Sequence, residues 1–159
     1  MGKKGLQKTV IVDDFRHFLS KETLFKDEDR DIIKIITPFE CVSGGKVEVY
    51  ISIDQKSGKW VVSDGSLLSR GFYDVIIDYK KEGDENKPIY QISLEEKQKA
   101  MEFAHSTFIN MNKTVDSKGR VFYFFITDNY NLLIGLVYQM AMLVLNVVNY
   151  THINKGILD

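Results

Sequence analysis

The segment from Asp31 to Gly71, D-I-I-K-I-I-T-P-F-E-C-V-S-G-G-K-V-E-V-Y-I-S-I-D-Q-K-S-G-K-W-V-V-S-D-G-S-L-L-S-R-G, constrains the fold more than any other. Within it, Lys46 to Asp54 alternates without a break: Val47, Val49, Ile51 and Ile53 point one way, and Lys46, Glu48, Tyr50, Ser52 and Asp54 the other. A period of two suits a half-buried strand and no helix. Gln55 to Gly58 reads as a four-residue hairpin loop with glycine at its end, and Lys59 to Ser63 as the returning strand. Upstream, Ile32 to Thr37 carries branched residues on both faces and predicts a central, covered strand that Pro38 ends. Ser43-Gly44-Gly45 makes a turn, and Asp64-Gly65 another, after which Ser66 is placed to cap a short helix with Leu67, Leu68 and Phe72.

The flanks supply helices. Ile11, Phe15, Phe18 and Leu19 share one face of a helix over Thr9 to Ser20, preceded by a frayed basic start at residues 1–8. Lys21 to Asp31 reads as a connection or a helical extension. Val75-Ile76-Ile77 and Ile89 to Ile92 predict short strands around a polar loop, Lys80 to Pro88, in the most acidic part of the chain. Ser93 with Glu95 and Glu96 opens a helix to about Asn112, with Leu94, Met101, Ala104 and Phe108 aligned. Thr114 to Thr127 forms a second hairpin turning at Ser117-Lys118-Gly119, its Arg120–Thr127 arm apolar on both faces. Asn131 to Val148 is 18 residues without a charge. A span needs ~20 apolar residues, and this run contains Asn131, Gly135, Gln139 and Asn146 with no flanking Lys/Arg cluster, so it predicts a buried helix rather than a membrane anchor. The expected architecture is α+β, a single domain over 1–159: an antiparallel sheet with hairpins packed against an N-terminal helix, a middle helix and a long apolar C-terminal helix.

Composition narrows the function classes. Among 159 residues, 44% hydrophobic, a core needs no staples, and the lone Cys41 permits neither an intrachain disulfide nor a cysteine-built zinc site. Lys+Arg 21 against Asp+Glu 22 gives a net charge of −1, without the basic footprint of a nucleic-acid binder. No cofactor motif is present: Gly44-Gly45 has neither a dinucleotide-binding pattern nor a Walker lysine, and His17, His105 and His152 lack metal-ligand spacing. Each histidine reads as a surface or capped residue, Cys41 as a half-buried small hydrophobe, and Asp64-Gly65 as a turn. The nearest approach to catalysis is Asp54-Gln55-Lys56. In a restriction-type nuclease, carboxylates (here Asp54 with Glu48 or Glu40) hold a divalent cation, and a lysine such as Lys56 positions water. Solvated loop charges explain the same letters. The clearer surface signal is Glu48, Tyr50, Asp54, Lys59 and Trp60 on or beside one hairpin, where Tyr and Trp are favoured anchors for a protein partner. Trp60 closing the core is an equal reading.

Ile36-Thr37-Pro38-Phe39, the alternating strand, and Val62-Ser63-Asp64-Gly65 before a leucine helix together resemble a domain of unknown function in bacterial and phage proteins. That family has an I-x-T-P-F strand and a T-D-x-G turn. Its later part is similar to Met111–Arg120 leading into a strand and a long apolar helix. The resemblance covers most of residues 5–150. Here Ser63 replaces Thr, and Ser43-Gly44-Gly45 stands where a D-x-D-like turn is common. The resemblance implies a cytoplasmic protein of the bacterial host cell, frequent on mobile elements, with no established activity. By analogy, small phage proteins of this make-up resemble inhibitors of host defence, anti-CRISPR proteins that block Cas9 included. The expected function is therefore a non-enzymatic protein-binding inhibitor with no metal or cofactor. The alternatives are a metal-dependent nuclease using Glu48, Asp54 and Lys56, and a structural domain that forms a homodimer through its C-terminal helix.

Overall fold

The computed structural model describes residues 8–16, 24–29, 31–41 and 44–156. It is an α+β arrangement of three α-helices and eight strands among the described residues. Helix α1 (Lys8–Arg16) precedes strands β1 (Leu24–Asp29), β2 (Ile32–Glu40), β3 (Lys46–Ile53) and β4 (Trp60–Ser63). Strands β5 (Ile76–Glu82) and β6 (Glu85–Tyr90), helix α2 (Leu94–Ser106), and strands β7 (Asn112–Val115) and β8 (Val121–Thr127) follow. A single 3-10 turn (Tyr130–Leu132) leads into helix α3 (Leu133–Gly156). Six strands form one sheet in the order β1-β2-β3-β4-β8-β7, every neighbour antiparallel, and β5-β6 form a separate two-stranded sheet.

The alternation in β3 sets the two faces of the large sheet. Val47, Val49 and Ile51 are fully buried beside Ile33, Ile35 and Val62, with Tyr123 and Phe125 completing that face from β8. Helix α3 contacts β2, β3, β4 and β8 and packs against α2. Its uncharged sequence is explained by this position: Leu133, Val137, Met140, Ala141, Val144 and Val148 are buried, while Gly135, Gln139 and Asn146 form an exposed stripe. The span Tyr130–Asn149 is long and apolar enough to cross a membrane, but a core helix has the same composition, and here much of it is covered by the chain's own sheet. Helix α1 adds Ile11 and Phe15 to the core, and Tyr130 Oη donates to Asp14. Its predicted extension through Phe18 and Leu19 lies outside the described residues.

Five local expectations need correction. The charged stretch expected to be a connection or helix contains β1, paired with β2 from Leu24↔Ile36 to Asp29↔Ile32. It is an edge strand of the sheet. Pro38 does not end β2. The strand runs on to Glu40, with a register shift between Ile36↔Glu48 and Glu40↔Lys46. A bulge is where a sheet tolerates a residue with no N–H, and the Thr37 hydroxyl donates to Val47 O at 2.8 Å within it. Ser66 caps no helix: residues 65–73 form successive turns, and the Asp64 carboxylate accepts the Ser66 N–H (2.9 Å) and the Leu68 N–H (3.2 Å). The capping oxygen thus comes from two residues earlier. The predicted polar loop Lys80–Pro88 is mostly strand, turning only at Gly83-Asp84. Helix α2 also stops at Ser106, short of Asn112, where the Thr107 N–H closes the last turn. Within it Ala100, Met101 and Ala104 are buried while Leu94 is exposed, and Phe108, beyond its end, packs partly buried on the core.

Candidate functional site

Strand β4 has four residues, so it leaves a notch in the sheet beyond Ser63, between the start of β3 and the start of β8. The turns after Asp64 fill it. Tyr73, 4% exposed, accepts the Glu48 N–H through its hydroxyl at 3.0 Å, and the Ser69 hydroxyl donates to Val121 O. Side chains thereby replace the strand partner that β4 is too short to supply. Gly65 passes against the Tyr50 ring, where a Cβ would lie 2.6 Å from the ring edge. Burial pushes the Asp64 carboxyl up to about 6 and the Cys41 thiol up to about 11, and raises the Tyr73 phenol, whose other neighbours include Glu48, Cys41 and Asp64. Cys41 is buried beside this plug, and burial disfavours its thiolate.

The residues picked from the sequence fall in different places. Glu48 and Tyr50 share the outer sheet face. Glu48 pairs with Lys34 at 3.3 Å, with both side chains largely covered. Trp60 pairs with Ile53 and faces the helical side, where its ring meets Tyr130 edge-on at 5.6 Å. Of its two readings, closing the core matches this position. Asp54 accepts the Ser57 hydroxyl (2.6 Å) and N–H (3.1 Å), bonds that hold its carboxyl below the usual range, and Lys56 and Lys59 are exposed in the same loop. Glu48 and Asp54 are six residues apart on and just past one strand, roughly 20 Å at the usual rise, too far to share a cation. Glu40 is exposed, opposite Lys46 in the ladder. Among the described residues no group of three His, Cys, Asp or Glu side chains is placed to hold a metal. His105 bonds Met111 O at 2.9 Å and stacks on Tyr123; His17 lies outside the described residues.

The larger exposed feature is one that sequence reasoning missed. The β5–β6 hairpin makes its principal contacts only within itself, and every residue from Ile76 to Tyr90 is exposed. Residues paired across a hairpin share a face, and faces alternate along each strand. Tyr79 is opposite Pro88, and Ile76 opposite Tyr90. A register shift between Ile76 and Asp78 makes Ile77 a bulge, which puts Ile76 and Tyr79 on one face although they are three apart. That face carries Ile76, Tyr79, Pro88 and Tyr90, with Lys81 and Asn86 nearer the turn. The other carries Asp78, Lys80, Glu82, Glu85 and Lys87, with a Lys87–Glu82 ion pair at 2.9 Å, and Ile89. Strict alternation hides the apolar face, because the bulge breaks the period.

The hairpin's edges are closed to further strands at one level. Counting from the Gly83-Asp84 turn, the Tyr79–Pro88 amide positions point outward. Pro88 has no N–H, and the Tyr79 N–H donates to Asp78 Oδ1 at 2.8 Å. At that level the hairpin offers side chains, not backbone, to a partner. Near its base, Tyr90 borders a shallow cleft with Leu68, Tyr73, Lys97 and Val147.

No protein-family model, curated protein or solved structure matches this chain. The resemblance carried by Ile36-Thr37-Pro38-Phe39 and Ser63-Asp64-Gly65 rests on those motifs alone.

Proposed function

We propose that the chain is a protein-binding module that inhibits a larger partner, on the terms of the motif resemblance a bacterial defence nuclease such as Cas9, and that the β5–β6 arm makes the contact. One observation carries this reading: a two-stranded hairpin stands off the body with Ile76 44%, Ile77 62%, Tyr79 59% and Tyr90 45% exposed. An isolated hairpin of this kind is marginal in water, and contiguous apolar surface rimmed by charge marks interaction sites. A partner groove that covers Ile76, Tyr79 and Tyr90 removes the apolar surface and orders the arm in one step. Tyrosine is a favoured anchor at such contacts. The arm carries four acids against three lysines, a balance that suits protein better than a phosphate backbone.

The test is capture of purified candidate nucleases by the immobilised full chain, with a cleavage assay alongside. Wild type is expected to bind and inhibit. The double variant Ile76→Ser/Tyr79→Ser is expected to lose at least tenfold in affinity while its thermal midpoint stays within about 2 °C of wild type, since surface changes cost little. Capture of no nuclease, or equal capture by the variant, overturns the reading.

A further inference from the structure

A second site lies away from the arm, where the first turns of α2 meet the β7–β8 turn. The cleft there encloses about 170 Å³. From α2, Leu94, Lys97 and Met101 follow at i, i+3 and i+7 and so share one helix face. From the opposite side come Lys118, Arg120 and Val121. The lining thus has three cations, an apolar floor and no carboxylate.

The cations are held ready. Asp116 accepts the backbone N–H groups of Lys118 (2.9 Å) and Arg120 (2.8 Å) and the Arg120 Nε at 2.7 Å, bonds that keep its carboxyl below the usual range. The guanidinium is therefore fixed through one nitrogen, and its two terminal nitrogens remain to donate. Lys97, its side chain only 11% exposed, pairs with Asp74 at 2.9 Å. Lys118 forms no ion pair among the described residues. Gly119, at φ +78, tightens the turn that carries Lys118 and Arg120 toward the helix. A cleft of this size is comparable to cavities of ~150 Å³ that admit a benzene-sized guest.

We propose that this cleft binds an oxyanion carried on a short apolar stem, the anion between Lys118 and Arg120 and the stem over Leu94, Met101 and Val121. The recognised chemistry is a carboxylate or a phosphate. Arg120 supplies planar, directed donors and Lys118 a mobile charge, and a stem of four or five carbons fills the apolar part.

The experiment is a titration of the ¹⁵N-labelled full chain, followed by amide chemical shifts, with pentanoate, inorganic phosphate and uncharged pentanamide. Saturable shifts confined to residues 94–101 and 117–121, given by pentanoate or phosphate and absent with pentanamide, support the site. Pentanoate binding at least threefold tighter than phosphate assigns it to carboxylates; the reverse order assigns it to phosphoryl groups. Lys118→Gln, at an exposed position with no ion pair among the described residues, is expected to weaken binding at least threefold and leave the remaining spectrum unchanged. No saturable shift with either anion, an equal response to pentanamide, or an unaltered affinity in Lys118→Gln overturns the proposal.

Discussion

Replacing Tyr73 with Phe removes one oxygen atom from the plug in the sheet notch and nothing else. That oxygen accepts the Glu48 N–H at 3.0 Å, in a place where Tyr73 is 4% and Glu48 9% exposed. Phe fills nearly the same volume, so packing predicts a change close to zero. The hydrogen-bond argument predicts more. The net bond contributes about 1 kcal/mol, and a buried N–H left without an acceptor costs about 1–3 kcal/mol. The expected loss is about 2 kcal/mol. With a urea m-value of about 2 kcal/mol/M, the unfolding midpoint falls by roughly 1 M. Urea titration followed by circular dichroism measures this, and faster hydrogen exchange at the Glu48 amide locates it. A midpoint within 0.25 M of wild type, with Glu48 still protected, would show that the hydroxyl does not substitute for the missing strand partner.

Two further expectations concern the same region. Gly65→Ala places a Cβ 2.6 Å from the Tyr50 ring at a backbone φ of +63, so strain and overlap together cost about 2–4 kcal/mol; Gly44→Ala, at φ +93 with open space around it, costs only about 1 kcal/mol. The two thermal unfolding midpoints compare them directly, and equal losses would refute the close approach. Asp64 makes stability depend on pH. Its carboxyl is raised from 3.8 to about 6 by burial, so the folded state holds the proton more tightly than the unfolded chain. That contribution is full below pH 3.8 and is lost as pH rises through about 6, a fall of up to about 3 kcal/mol between pH 4 and 6 at 1.36 kcal/mol per unit. Asp54 and Asp116, held low by bonds from Ser57 and Arg120, act in the opposite sense and only below the ordinary carboxylate range. Asp64→Asn is expected to flatten the pH 4–6 slope in urea unfolding; an unchanged slope refutes the assignment.

The parts of the fold visible in the sequence were those whose signal is periodic. The alternation of β3, the loop to β4, the turn at Ser117-Lys118-Gly119 and the uncharged run of α3 all lie where expected. What was hidden has physical causes. Strand β1, L-F-K-D-E-D, is an edge, so its polarity reads as a connection. Pro38 sits in a bulge that a one-dimensional rule treats as an end. The arm's apolar face is scrambled by the bulge at Ile77, and its charged residues made it look like a loop. At the β3–β4 hairpin Trp60 turns inward and Asp54 is held by Ser57, whereas β5–β6 leaves its apolar side chains exposed. The α2 cleft joins Leu94 and Lys97 to Lys118 and Arg120, more than twenty positions on, a juxtaposition no local pattern contains.

The separation of the arm from the body also bears on how such a chain can change. Core positions are coupled by volume, so a substitution at Val49 or Met140 obliges its neighbours to adjust. Positions 76 to 89 are exposed and make their principal contacts within the hairpin, so they place little such demand on the core. Mutations there escape the stability threshold that filters the rest of the sequence. A module built this way can follow a partner whose surface drifts, rewriting one hairpin at a time on a scaffold that stays the same.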